Sequence, residues 1–150
     1  FLLALIAITI SSGGFVAGLK AGHAYNTFPL MGGQWLPPAG WMLEPGWRNL
    51  FENIATVQFV HRVLATTTFL AILVFWLKLL RQTLPRPAVT AAHLLMLMAV
   101  AQVGLGISTL LLLVPVPLAA THQAGALVLL TLALLVYYHL QAGETKKSPV

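Results

Sequence analysis

The 150-residue chain is 59% hydrophobic and only 7% charged, with a formal charge of +5 and no cysteine. A soluble domain carries about 25% charged residues, so this composition excludes one and predicts an all-α membrane protein. The positive charge is spread over loops and the C-terminus without a basic patch, which reads as a topology signal and not as a nucleic-acid surface.

The length permits a single domain over residues 1–150. The absence of cysteine excludes disulfides, thiolate-held zinc or iron–sulfur sites, and covalent c-type haem attachment. Histidine is left as the main candidate metal ligand. The chain starts at Phe1 inside an apolar run with no initiator Met, which predicts a fragment of a longer protein.

Residues 1–19 carry no charge and are long enough to span a bilayer. Gly14 and Gly18, with Ser11 near the same face, predict close helix packing there. Residues 20–52 hold Pro29, Pro37, Pro38 and Pro45 and cannot form one helix. Trp35, Trp41 and Trp47 fit an interfacial aromatic belt. Trp47, Leu50, Phe51 and Ile54 recur at helical spacing, which predicts a short amphipathic surface helix leading into the next span.

The second span is predicted over residues 53–80 and is ended by Pro85 and Pro87. Thr66, Thr67 and Thr68 in its centre can bond to the helix backbone or to a neighbour. The third span is predicted over 88–114, with Gly104 and Ser108 forming a second close-packing face. Pro117 is placed to begin the fourth span, predicted over 117–140. The tail 144–150, with Lys146 and Lys147, is expected to be solvated and frayed. The fold expected is therefore a four-transmembrane-helix bundle with a long outer loop.

Charge bias orients it. Lys78, Arg81 and Arg86 share one side with Lys146 and Lys147, whereas Lys20 and Arg48 in the long loop are cancelled by Glu44 and Glu52. The positive-inside rule puts both termini inside and the long loop outside.

Ionisable groups inside a span are costly and default to a functional reading. His61 lies in Val57-Gln58-Phe59-Val60-His61-Arg62, and His122 in Thr121-His122-Gln123-Ala124-Gly125-Ala126. Spans two and four run in the same direction, so the two histidines sit at depths of roughly 12 and 8 Å below the outer helix ends. Imidazole suits iron, and bundle interiors hold such cofactors. Gly125 and Ala65 are small residues one turn away that leave room for a flat ring. The alternative is two histidines hydrogen-bonded to helix backbones or to each other.

Arg62 lies beside His61 and could pair with propionates turned outward, with Lys20, Arg48 and His23 as further loop cations; otherwise these are snorkelling interface charges. His93 and His139 form a competing inner pair, at a level where histidine needs no cofactor. Gln58, one turn outward of His61, can hydrogen-bond but cannot titrate. The only acids, Glu44, Glu52 and Glu144, lie outside the span cores, which argues against proton chemistry by this segment alone.

Gly18-Leu19-Lys20-Ala21-Gly22, Asn26-Thr27-Phe28-Pro29-Leu30-Met31, Phe51-Glu52-Asn53 and the two histidine motifs occur in the order found in the membrane-bound haem A synthases, and the chain resembles that family over essentially its whole length. The resemblance implies an eight-span protein built of two four-helix bundles, of which this chain is the C-terminal half. It implies oxidation of a ring methyl of haem O to a formyl group, giving haem A for cytochrome oxidase biogenesis. His61 and His122 take the places of the ligands of a b-type haem, with Arg62 and Gln58 beside it, while substrate haem O is handled by the N-terminal half. Where the substrate half of the family carries a glutamate three residues before its first histidine, this chain has Gln58. That departure favours the electron-transfer half and argues against activity of this half alone. An external electron donor, and haem O synthase as a partner, are also implied, in a bacterial or mitochondrial inner membrane. Two alternatives are a stand-alone di-histidine b-type cytochrome and a haem-free assembly factor.

Overall fold

The computed structural model describes residues 1–145. Its elements are helix α1 (Leu2–Gly18), a 3-10 turn at Ala21–His23, a second at Gly46–Arg48 continuing into the four-residue α2 (Asn49–Glu52), and then α3 (Ile54–Leu79), α4 (Arg86–Leu111) and α5 (Val116–Thr145). Ile54–Leu79, Arg86–Leu111 and Val116–Ala142 are long and apolar enough to cross a membrane, and α1 is a shorter apolar helix. Large side chains such as Leu70, Val74, Leu97, Val100, Leu127 and Leu134 lie on the outer surface. Helices this apolar on their exposed faces belong in lipid.

Local chemistry sets the helix ends. Asn53 has extended backbone, and its side chain accepts from the amides of Ala55 (3.0 Å) and Thr56 (3.2 Å), satisfying two of the orphan donors that open α3. This break separates Ile54 from Trp47, Leu50 and Phe51, so the amphipathic segment ends one residue before α3 and does not run into it. Pro85 stands at the N-cap of α4, and Pro87 falls in its first turn, where a missing N–H costs nothing. The helix therefore starts at Arg86, two residues before the predicted boundary. It ends at Leu111, ahead of the predicted 114, because Leu113 and Val114 take left-handed φ values of 63° and 60° to turn the chain. Helix α5 runs past residue 140 to Thr145, since nothing between Leu140 and Thr145 breaks it. Glu144 is thus helical, whereas Lys146 and Lys147 lie outside the described residues.

The four longer helices form a closed ring in which α1 packs on α3, α3 on α4, α4 on α5, and α5 on α1. Helices α3 and α5 are thus diagonal partners. The long loop and the 112–115 turn share one end of the ring. There Asn26 Nδ2 donates to the Leu110 carbonyl (3.0 Å), and Gly22 sits against Val114, whose Cγ2 would lie 2.9 Å from an added Cβ.

Polar and apolar interiors are segregated along the bundle. The apolar cluster of Ile6, Ile72, Leu95, Ala99, Leu129 and Val136 draws on all four helices and lies toward the end away from the loop. Burying such side chains contributes about 1.5–3 kcal/mol each for the larger ones. The loop half holds the buried or half-buried polar residues instead. Between the two regions, Thr9 and Thr68 hydroxyls bond across α1 and α3 at 2.7 Å.

The loop is held by its own amides. Asn49 is fully buried; its Oδ1 accepts from the Leu43 amide (3.0 Å) and its Nδ2 donates to the carbonyls of Leu43 (2.8 Å) and Gly46 (2.9 Å). Trp35, Trp41 and Trp47 are exposed around it.

Candidate functional site

His61 lies about two turns into α3, and His122 nearly two turns into α5, both counted from the loop end. Their depths are therefore about 10 and 9 Å below the helix starts. Each ring is half-buried and leans on a glycine of the adjacent helix. A Cβ on Gly13 of α1 would lie 3.2 Å from His61 Cε1, and one on Gly106 of α4 would lie 3.1 Å from His122 Cε1. Both glycines sit about one and a half turns from the loop end of their own helices. The two antiparallel pairs, α1 with α3 and α4 with α5, thus present a histidine in the same way.

These are not the glycines that the spacing picks out. Gly14 and Gly18 are exposed, Gly104 likewise, and an added Cβ on any of them meets nothing within 4 Å. Gly125 does not leave an open slot under His122 either. It is buried, and its Cβ position is filled by Gln102 Nε2 and by Met98 Cε at 2.7 Å. A gap in a packed interior forfeits dispersion contacts, so flexible side chains fill it.

Hydrogen bonding distinguishes the two imidazoles. His61 Nδ1 lies 2.8 Å from Ser12 Oγ. His122 makes no hydrogen bond among the described residues, and its Nδ1 is buried without a partner. Buried polar atoms are normally paired, so this orphan marks a place where a further group fits. Gln102 Nε2, Gln58 Oε1 and Arg62 Nε are buried and unpartnered as well, and all four belong to the loop half or to the middle of the bundle.

Gln58 is buried and donates through Nε2 to the Tyr25 carbonyl (3.0 Å). Arg62 donates to the same carbonyl (2.9 Å), to Thr27 O (2.9 Å) and to Pro29 O (3.4 Å). The guanidinium therefore fastens residues 25–29 over the loop end of the bundle. Sequence alone pointed it at carboxylates; backbone carbonyls use the same donor fork. Among the other cations, Arg48 pairs with Glu52 at 2.6 Å. Lys20 and His23 are exposed.

The inner histidines stay separate in their contacts. His93 is exposed and accepts from Trp76 Nε1 at 3.5 Å, with the rings edge to face at 5.9 Å. His139 packs against Tyr138 with ring centroids 5.4 Å apart.

The sequence matches the COX15-CtaA family of cytochrome oxidase assembly proteins over residues 1–134. The chain belongs to that family. Among COX15-CtaA relatives, it is 54% identical over 140 residues to the heme A synthase of Nitrosospira multiformis, covering 93% of this chain and 39% of that protein. It is 51% identical over 130 residues to heme A synthase COX15 of Homo sapiens, covering 87% and 32%. With heme A synthase COX15 of Saccharomyces cerevisiae the identity is 43% over 146 residues, covering 89% and 30%. The chain thus spans between 30% and 39% of the length of these curated relatives. No solved structure matches. Family membership and the apolar helices together make this an integral membrane protein.

The donor set, two imidazoles, fits a haem, the group that appears in the relatives' names. Two imidazoles from diagonal helices, at one depth and each against a glycine, suit a porphyrin between them. Among the described residues no cluster of three or more His, Asp or Glu side chains forms a site for a bare metal ion, and axial ligation of a porphyrin needs only two side chains.

Proposed function

We propose that this chain is the cofactor-holding C-terminal half of a heme A synthase, and that His61 and His122 ligate the iron of a b-type haem. The observation that carries the reading is the level, repeated packing of the two rings, His61 on Gly13 and His122 on Gly106. When bound, such a haem supplies one-electron transfer. The chain's own side chains hold and shield it. His61 and His122 would hold its iron. Gln58 and Arg62 tie the 25–29 segment across the loop end of the bundle, which limits water entry.

The same reading accounts for the lack of acids. Glu44 and Glu52 are exposed in the loop, and Gln58 stands where a base would be. The oxidation of the ring methyl therefore belongs to the other half of the whole protein, with haem O as substrate and haem A as product. In this reading α1 is the first of four spans, giving a four-span bundle. The long loop and the 112–115 turn face outward, and the positive 78–86 region faces the cytoplasm or matrix of an inner membrane. The N-terminal half, an electron donor and haem O synthase are the expected partners.

The test is pigment analysis of cells lacking the whole gene. Accumulated haem O with no haem A supports the proposal. Unchanged haem A rejects it and favours a cytochrome or assembly role.

A further inference from the structure

We propose that Ser12 is the positioning residue of His61, accepting a hydrogen bond from Nδ1–H and so leaving Nε2 as the free electron-pair donor. The inference rests on the haem reading above for its purpose but not for its geometry.

A serine hydroxyl has one proton to give and two lone pairs to receive with. Ser12 Oγ donates to the Thr9 carbonyl at 2.7 Å, one turn back in α1. That bond uses its only proton. The 2.8 Å contact with His61 Nδ1 must then run the other way, with Nδ1–H donating to Oγ. A neutral imidazole protonated at Nδ1 has its lone pair on Nε2. Gly13 next to Ser12 lets the ring come close to α1. Ligating histidines are generally held this way through the second ring nitrogen, which fixes the tautomer and raises ligand basicity.

His122 has no such anchor, because its Nδ1 is buried without a partner. The two imidazoles are therefore inequivalent, and His122 serves as the internal control. A second hydrogen bond between α1 and α3, Thr9 to Thr68 at 2.7 Å, controls for helix packing.

The experiment is nitrogen NMR of 15N-histidine-labelled full chain in detergent without added haem, with the His61 signal identified by its loss in His61→Ala. His61 is expected as the Nδ1-protonated tautomer in the wild type and in Ser12→Thr. In Ser12→Ala it shifts toward Nε2 protonation, whereas Thr68→Val and the His122 signal stay unchanged. After haem addition, Ser12→Ala binds about 10-fold or more weakly and has a higher midpoint potential, and Ser12→Thr restores both. A wild-type His61 protonated at Nε2, or one indifferent to Ser12→Ala, overturns the proposal; the wild-type spectrum decides even if Ser12→Ala does not fold. A chain with the expected tautomer that takes up no haem instead overturns the haem reading.

Discussion

Gly13 and His61 meet across α1 and α3, with 3.2 Å between His61 Cε1 and the position of an added Cβ. Gly106 and His122 repeat the contact across α4 and α5 at 3.1 Å. A ring held that closely has no room to retreat when its glycine gains bulk. Gly13→Val and Gly106→Val are each expected to displace an imidazole, to cost about 1–3 kcal/mol through overpacking, and to weaken haem binding at least about 10-fold. Gly14→Val makes the same change on a face that meets nothing within 4 Å and is expected to leave haem binding unchanged. Haem titration of the three variants checks this.

Arg62 closes the loop end of the bundle through three backbone carbonyls. Hydrogen bonds to charged groups are worth about 1.5–3 kcal/mol each before their losses are shared. Arg62→Ala is expected to destabilise the protein by about 3 kcal/mol and to expose residues 25–31 to protease. Arg62→Lys, with a point charge in place of a fork, keeps part of that protection. Limited proteolysis in micelles reads both. Equal protection in Arg62→Ala and wild type contradicts the strap.

The Arg48 guanidinium, bonded to both Glu52 oxygens, holds that carboxyl below its ordinary value. A depressed carboxyl contributes stability above its unfolded value, and the contribution is lost as pH falls through the folded value. The pair is exposed, so the contribution is small. Glu52→Gln is therefore expected to match wild type in Tm within a narrow margin from about pH 6 to 8, and any gap closes below about pH 4. A gap that widens on acidification contradicts the assignment.

Much of this was legible in the sequence because single residues force it. Pro85 and Pro87 end the second span, Pro117 opens α5, and two histidines stand at one depth in helices of the same direction. What was not legible depended on rotation about the helix axis. Gly13 differs from Gly14 by one position, about 100°, and hydrophobicity does not choose between faces of a helix that is apolar all round. Counting from the loop end of each helix would have set Gly13 level with His61 and Gly106 level with His122. Ser12 was visible only as a small residue, since its hydrogen bond to His61 joins positions far apart in the chain. Arg62 was read toward carboxylates because a sequence does not display its loop carbonyls. Gln102 drew no notice, although it fills the space over Gly125 from inside the bundle.

The paired imidazoles are the centre of the account, and the optical spectrum of the purified chain reconstituted with haem tests them most directly. Wild type and His93→Ala are expected to show one low-spin, six-coordinate b-type haem per chain, and His61→Ala and His122→Ala are each expected to lose that spectrum. An unaltered low-spin spectrum in either of those two variants, or its loss in His93→Ala, contradicts the account.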